Sequence, residues 1–332
     1  MALLSTIHPT LLDVTRRLDP DGKVDGIAEL LSQTNEVLDD MVWLEGNLPT
    51  GHKTTVRTGL PGVTWRKLYG GVQPTKSTTA QITDTCGMLE AYAEIDKALA
   101  DLNGNASAFR LSEDRAFIES MNQEMSRTLF YGNETTTPEA FTGLAPRFNS
   151  LSANNSENII RSGAVEGSDN ASMWLIVWGA NTVHGIYPKA SKAGLAVNDK
   201  GQVTVESIDG AGGRMEAYRT HYRWDCGLTV RDWRYIVRIQ YDQEDLVKNA
   251  ATGPDLIDLM TQAVEMIPSL SMGRPAFYCN RTARSFLRRQ IANKVAASTL
   301  TMEMVAGKHV TMFDGIPVRR CDQLTNTEQA IA

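Results

Sequence analysis

The chain has 332 residues, 42% hydrophobic and 22% charged, which fits a folded protein and excludes wholesale disorder. Lys and Arg total 33 against 39 Asp and Glu, a net charge of -6 that excludes a surface built throughout to grip nucleic acid. Cys86, Cys226, Cys279 and Cys321 are too scattered for a disulfide framework or a zinc site and read as small core residues of a reducing compartment. No apolar stretch is long enough to span a membrane, and Met1 to Leu12 lacks the basic start of a signal peptide.

Residues 1–22 have weak periodicity and end in the turn cluster Asp19-Pro20-Asp21-Gly22, so they read as an extended arm. Val24, Ile27, Leu31, Leu38 and Met41 keep helical spacing, which predicts a helix within 23–46 that stops before Asn47-Leu48-Pro49. Residues 47–85 change character. The runs 53–58, 63–69 and 77–83 are rich in Thr, Val and aromatics and read as strands, with Gly and Pro between them. They form a long hairpin-like excursion with too few apolar residues for a core of its own, so its order must come from whatever it lies against.

Two helices are predicted next. The first spans 88–102 on Met88, Leu89, Tyr92, Ile95, Leu99 and Leu102, with Gly104 as its cap. The second spans 111–131, with Ser112 as N-cap and Phe117, Ile118, Met121, Met125, Leu129 and Phe130 as its stripe. Residues 133–170 read as loop, and 171–241 as strongly β. Within that block Arg231 to Tyr241 alternates, which predicts one dry face and one wet or interface face. Pro254 reads as the first position of a helix. An apolar strand at 275–279 runs into a helix bearing Arg281, Arg284, Arg288 and Arg289, and Asp314-Gly315 marks a hairpin between closing strands.

Chemistry is sparse. Residues 46–54 nearly spell a phosphate loop, but His52 stands where Lys is required and no apolar strand leads in, so a turn into the ribbon is the better reading. Gly210 to Gly213 reads as a flexible loop. There is no G-x-S-x-G, and the five histidines form no metal-binding pair. His184 is the most suggestive of them, yet no partner nucleophile accompanies it. The arginines at 281–289 read as a solvated or salt-bridged face, with phosphate contact as the alternative. No catalytic, cofactor-binding or metal residue is assigned. The excursion is the more telling feature: Lys53, Arg57, Arg66, Lys67 and Lys76, with Trp65 and Tyr69, make an adhesive surface without a core, and aromatics and Arg are favoured interface anchors. An α+β chain with appendages and no active site points to self-assembly.

The order of elements resembles the tailed-bacteriophage major capsid proteins with the Hong Kong 97-type (Johnson) fold, and the short-tailed podophage branch in particular. The likeness rests on the arm at 1–22, the hairpin at 47–85, the long helix at 111–131 and the turn from Phe130 through Gly132-Asn133 and Pro138 to Gly143-Leu144. Residues 276–282 match the family's apolar strand, Asn and helix, and 313–318 its closing Gly-Ile-Pro-Val strand.

The resemblance implies an α+β capsid fold: an N-terminal arm (1–22), a helix (23–46), an extended E-loop hairpin (47–85), a peripheral domain (86–170) holding the spine helix, and a β-rich remainder of peripheral plus axial domain (171–332). It implies hexamers and pentamers in an icosahedral shell, assembled in the host bacterial cytoplasm. That shell encloses double-stranded DNA without sequence-specific binding. No enzyme activity, cofactor or membrane is implied. With no extra helical block ahead of the arm, the scaffolding protein is expected to be separate; a portal and a decoration protein are the other expected partners. Some family members join an E-loop lysine to a neighbour's asparagine. Lys53, Lys67 and Lys76 match that role by location alone. The alternatives are another phage structural protein, such as a decoration or portal-associated ring, and an enzyme using His184.

Overall fold

The computed structural model describes residues 33, 35–102, 106–162, 166–206, 212–247, 253–293, 300–305 and 308–332. The arm at 1–22, the first part of the helix at 23–46 and Gly104 lie outside the described residues. What is described of 35–46 is a single helical turn, α1 (Val37–Asp40), and then β1 (Trp43–Glu45). The expected helix therefore does not continue to residue 46. Met41 is already extended, with φ -63 and ψ 138, and β1 is taken up as a parallel partner by the strand Val183–Tyr187.

β2 (Gly51–Gly59) and β3 (Thr78–Asp96) form an antiparallel hairpin, in register from Gly51↔Thr85 to Gly59↔Thr78 with a slip between Arg57 and Gly59. Residues 60–77 connect them without any strand, so the strand expected at 63–69 is absent. Pro61 has no N–H to give, and no neighbouring strand offers the run a ladder. The helix expected over 88–102 is also corrected. β3 runs straight through to Asp96, and only α2 (Lys97–Asp101) is helical, capped by the Asp96 carboxylate on Ala98 N at 2.8 Å. Helix propensity is a weak prior that strand pairing overrides. Here Glu94 meets Arg219 at 2.5 Å and Glu90 meets Arg223 at 3.4 Å, across to the strand Arg214–Val230. The long helix α3 (Ala106–Tyr131) begins earlier than the sequence suggests.

The remaining elements are β4 (Ile159–Arg161), β5 (Asn170–Trp178), β6 (Val183–Tyr187), β7 (Ala196–Glu206), β8 (Arg214–Val230), β9 (Ile236–Asp242), α4 (Leu256–Met266), β10 (Arg274–Cys279), α5 (Arg281–Asn293), β11 (Leu300–Val305), β12 (Lys308–Phe313) and β13 (Ile316–Arg320). The chain divides into two units. The smaller contains Met88–Met125 and Gly194–Asp225; the larger contains Asn35–Gly87, Ser126–Ala193 and Cys226–Ala332. In the smaller unit β7 and β8 pair antiparallel from Ala196↔Arg223 to Glu206↔Arg214. Ala93, Met121 and Tyr222 form one core there, and Ile95, Ala100 and Phe109 another.

In the larger unit the strand order is β11-β12-β13-β10-β5-β6-β8, with β9 bonded to β5 and to β4. Every residue of β5 is buried because both faces of this sheet are covered. Met173, Leu175 and Val177, with Val237 and Ile239 of β9, pack under α4 and α5. On the opposite face Trp174 takes Phe130 from the end of α3 and Phe148, with ring centroids 6.1 and 6.0 Å away.

This second layer makes the polar face of β9 a covered one and not a wet one: Arg238 and Gln240 are both buried. It also shortens that strand, since Trp233–Tyr235 is a 3-10 turn and pairing starts at Ile236. Asp255, not Pro254, marks the start of α4; its carboxylate accepts from Ile257 N and Asp258 N at 3.2 and 3.3 Å. Asn280 caps α5 through Ala283 N at 2.7 Å. The Asp314-Gly315 turn is built as the sequence suggests, with φ 49 and 76, the left-handed pair that a two-residue hairpin needs.

Candidate subunit interface

Strand alternation sorts the hairpin into two faces. Lys53, Thr55 and Arg57 stand with Thr79, Gln81 and Thr83 on an exposed polar face. Val56, Ala80 and Ile82 stand on the other. That underside borders an open groove of about 920 Å³ whose opposite wall is Val230 to Arg234. Asn47 fixes where the ribbon leaves the body. Its side-chain amide donates to Lys53 O at 2.8 Å, and its Oδ1 accepts from Lys53 N at 2.7 Å.

Trp65, Arg66, Lys67, Tyr69 and Lys76 all lie on the tip, residues 60–77, and all are exposed. Trp65 and Tyr69 have relative exposures of 105% and 102%, so both rings are bare. Leu60, Val63 and Leu68 are exposed beside them. The tip is braced by Thr75 Oγ1 donating to Gly62 O at 2.8 Å and by Gly70 N donating to Lys67 O at 3.0 Å. Tyr69 sits at φ 62, a left-handed conformation rare for an aromatic residue. The structure thus gathers the sequence-selected residues on one arm, Lys53 and Arg57 along a ribbon face and the other five at the tip.

The base of the arm holds residues that sequence reasoning passed over or left unpaired. Asp84 is buried on β3 and meets Arg147 at 2.8 Å. Arg147 also donates to Thr142 O and Leu228 O at 3.1 and 3.3 Å. Nothing in the local sequence of either residue announces the other. His52 lies opposite Asp84 in the ladder, and its ring faces that of His184 at 5.9 Å. His184 is 1% exposed, and neither of its ring nitrogens makes a well-formed hydrogen bond. Burial, then His52, then Arg231, push its pKa down to about 4. A catalytic base needs access to substrate, which a ring only 1% exposed lacks. The near phosphate loop at 46–54 is the turn that follows β1 and the start of β2, with no helix to present amides to a phosphate.

The turn after α3 explains its glycines. Gly132 N donates to Thr128 O at 2.8 Å, Gly143 N to Gly132 O at 2.8 Å, and Leu144 N to Leu129 O at 3.0 Å. A Cβ at Gly143 would fall 2.5 Å from Thr128 O and 2.7 Å from Leu129 O. The returning chain therefore lies directly on the last turn of the helix, where only glycine fits.

Residues 19–332 match a family model described as Major capsid protein GP7. Among solved structures, a chain of bacteriophage Epsilon15 from cryo-EM is 39% identical, with a TM-score of 0.79 over 100% of this chain and 99% of that one. The bacteriophage JBD30 capsid aligns at 9% identity and TM-score 0.49, covering 93% and 99% of the two chains. The SrpI encapsulin of Synechococcus elongatus aligns at 10% identity and TM-score 0.43, covering 65% and 91%. None of the curated proteins compared matches the sequence.

Proposed function

Because the chain belongs to the major capsid protein GP7 family, we propose that its hairpin arm is the element by which one subunit grips the next. The protein is a phage virion component with the Hong Kong 97-type fold. Copies of it assemble into the icosahedral capsid, and the family is structural rather than enzymatic.

The observation that carries the arm's role is the bare tip. Trp65 and Tyr69 are exposed at 105% and 102% on a segment with no core beneath it. An aromatic of this size buries roughly 150–250 Å² when covered, so a shell neighbour gains much by covering it. Arg57, Arg66, Lys53, Lys67 and Lys76 surround the rings with charges suited to the polar rim of an interface. In a shell of hexamers and pentamers, each arm would lie on an adjacent subunit.

The same reading extends to partners. A separate scaffolding protein sets shell size, a portal fills one vertex, and a decoration protein reinforces the outside. The enclosed double-stranded DNA is held without base recognition, and the net charge of -6 keeps it from adhering tightly. The test replaces residues 60–77 with a short Gly-Ser turn. A folded, cooperatively melting subunit that no longer forms shells is expected. Normal shells from that variant would overturn the arm's assignment.

A further inference from the structure

His52 lies at the start of β2, where the arm leaves the body, and His184 lies on β6. β2 is laddered to β3, and β3 continues the sheet through β8, the strand that also pairs with β6. β2 and β6 share no ladder, so the imidazoles add a direct side-chain contact between the first strand of the arm and the sheet. The rings meet edge to face, with centroids 5.9 Å apart and planes at 80°. His184 is fully buried, and neither its two nitrogens nor His52 Nδ1 has a well-formed hydrogen bond; the Gly179 backbone alone favours a proton on His184, and it is outweighed by burial, His52 and Arg231. A buried imidazole packed on a half-buried one, with little to accept a proton from either, is poorly suited to carry positive charge.

The surrounding charges reinforce this. Arg231, which follows β8, has its guanidinium fixed by Ala180 O at 3.0 Å and Asn181 Oδ1 at 3.4 Å, and it opposes a proton on either ring. Each ring opposes a proton on the other. Asp84 on β3 favours a proton on His52, but its carboxylate is already engaged by Arg147 from the 3-10 turn Ala145–Phe148.

We propose that His52 and His184 form an acid-sensitive latch: uncharged, the two rings pack and hold β2 at the base of the arm against β6; protonated, they repel and β2 loosens there, while β3 keeps its place beside β8. The latch concerns how the arm is attached and does not depend on what its tip grips. The direction with pH follows from the shifts. Both rings have pKa values lowered from 6.5, His184 to about 4, with burial the largest cause in each. The packed state is thus fully favoured above pH 6.5 and loses ground as the pH falls from there towards about 4.

Hydrogen–deuterium exchange with mass spectrometry, on assembled shells and on free subunits, tests this between about pH 7.5 and about pH 4.5, with rates corrected for their intrinsic pH dependence. In the wild type, peptides covering 51–59 and 78–86 should exchange about tenfold faster at the acid end while β5 peptides hold steady. His52→Gln, at a half-buried position that tolerates the change, should flatten that response, and His184→Gln should do the same if it folds. An equal acid response in His52→Gln would overturn the latch. So would a wild-type arm base that ignores pH, or acceleration in β5 as large as in the arm.

Discussion

Arg238 on β9 and Glu328 near the C-terminus meet at 2.7 Å with side-chain exposures of 5% and 4%. Each charge is fully engaged. Arg238 also donates to Ser172 Oγ at 3.0 Å and Phe148 O at 2.7 Å and lies over the Trp174 ring. Glu328 accepts from Tyr131 OH at 2.6 Å and from Ser172 Oγ. Its backbone bridges Asn170. One carboxylate thus ties the end of α3, β5 and β9 to the final residues of the chain. Glu328→Ala leaves a buried guanidinium without its counter-charge, which costs about 3–5 kcal/mol. We expect a matching fall in the free energy of urea unfolding. Arg238→Met with Glu328→Leu should recover part of the loss but not all, because the Phe148 carbonyl still lacks a donor.

Gly143 predicts a second large loss by a different route. Its φ is ordinary, so backbone strain is not the issue; space is. A methyl group there meets two backbone carbonyls of α3 at 2.5 and 2.7 Å, and backbone cannot swing aside as a flexible side chain would. Gly143→Ala should destabilise by at least the 1–3 kcal/mol usual for overpacking. It should also raise amide exchange at Gly143 and Leu144, whose N–H groups bond to Gly132 O and Leu129 O. Gly71→Ala, with nothing within 4 Å of the added carbon, is the control and should leave stability unchanged.

The buried thiols give a chemical test of the core. Cys279 and Cys321 are both buried, and desolvation pushes each pKa up to about 12. At pH 8 about one thiol in ten thousand is ionised, so alkylation should be negligible in the native subunit. Iodoacetamide followed by peptide mass mapping should modify half-buried Cys86 first, and Cys279 and Cys321 only once urea has unfolded the chain.

How far the sequence could be read depended on the range over which each feature is decided. The Asp314-Gly315 turn, the Asn280 cap and the Gly132–Gly143 motif are settled within a dozen or so residues, and their chemistry is visible in the string. The seven interface candidates could be picked out because a run with few apolar residues and several cations has no core to hide them. Strand β3 beyond residue 87 could not be read, because Met88, Leu89, Tyr92 and Ile95 keep helical spacing and the partner strand that overrides it lies at 214–230. Arg238 can be assigned from the sequence to a wet or interface face but not to its partners, because its cover comes from Phe148 and from Glu328, far away along the chain. Asp84 with Arg147 and His52 with His184 were missed as pairs for the same reason.

Trypsin offers a direct view of the tip. Arg66 and Lys67 are exposed on a stretch without ladder hydrogen bonds, which is where proteases cut folded chains. Free subunits should be nicked there first, before Arg238 or the arginines of α5. If the tip is covered by a neighbour, assembled shells should resist the same treatment, and equal cleavage of shell and subunit would count against the proposed contact.

Trp65 and Tyr69 separate assembly from folding most cleanly. Neither ring is covered within the subunit, so Trp65→Ser with Tyr69→Ser should change the melting free energy by no more than about 0.5 kcal/mol. If the rings seat on a neighbour, each behaves as an interface anchor worth about 2 kcal/mol. Since 1.4 kcal/mol is tenfold in an equilibrium constant, losing one such contact should raise the subunit concentration needed for shells by about thirtyfold, and losing both, as in this double variant, by roughly several hundredfold where the two add. Sedimentation across a dilution series reads that threshold directly. Arg57→Ala, on the ribbon face rather than at the tip, should move it less and more strongly at low salt, because an exposed charge is screened by ions whereas buried aromatic area is not. A double variant that melts and assembles like the wild type would leave the tip without a role in holding the shell together.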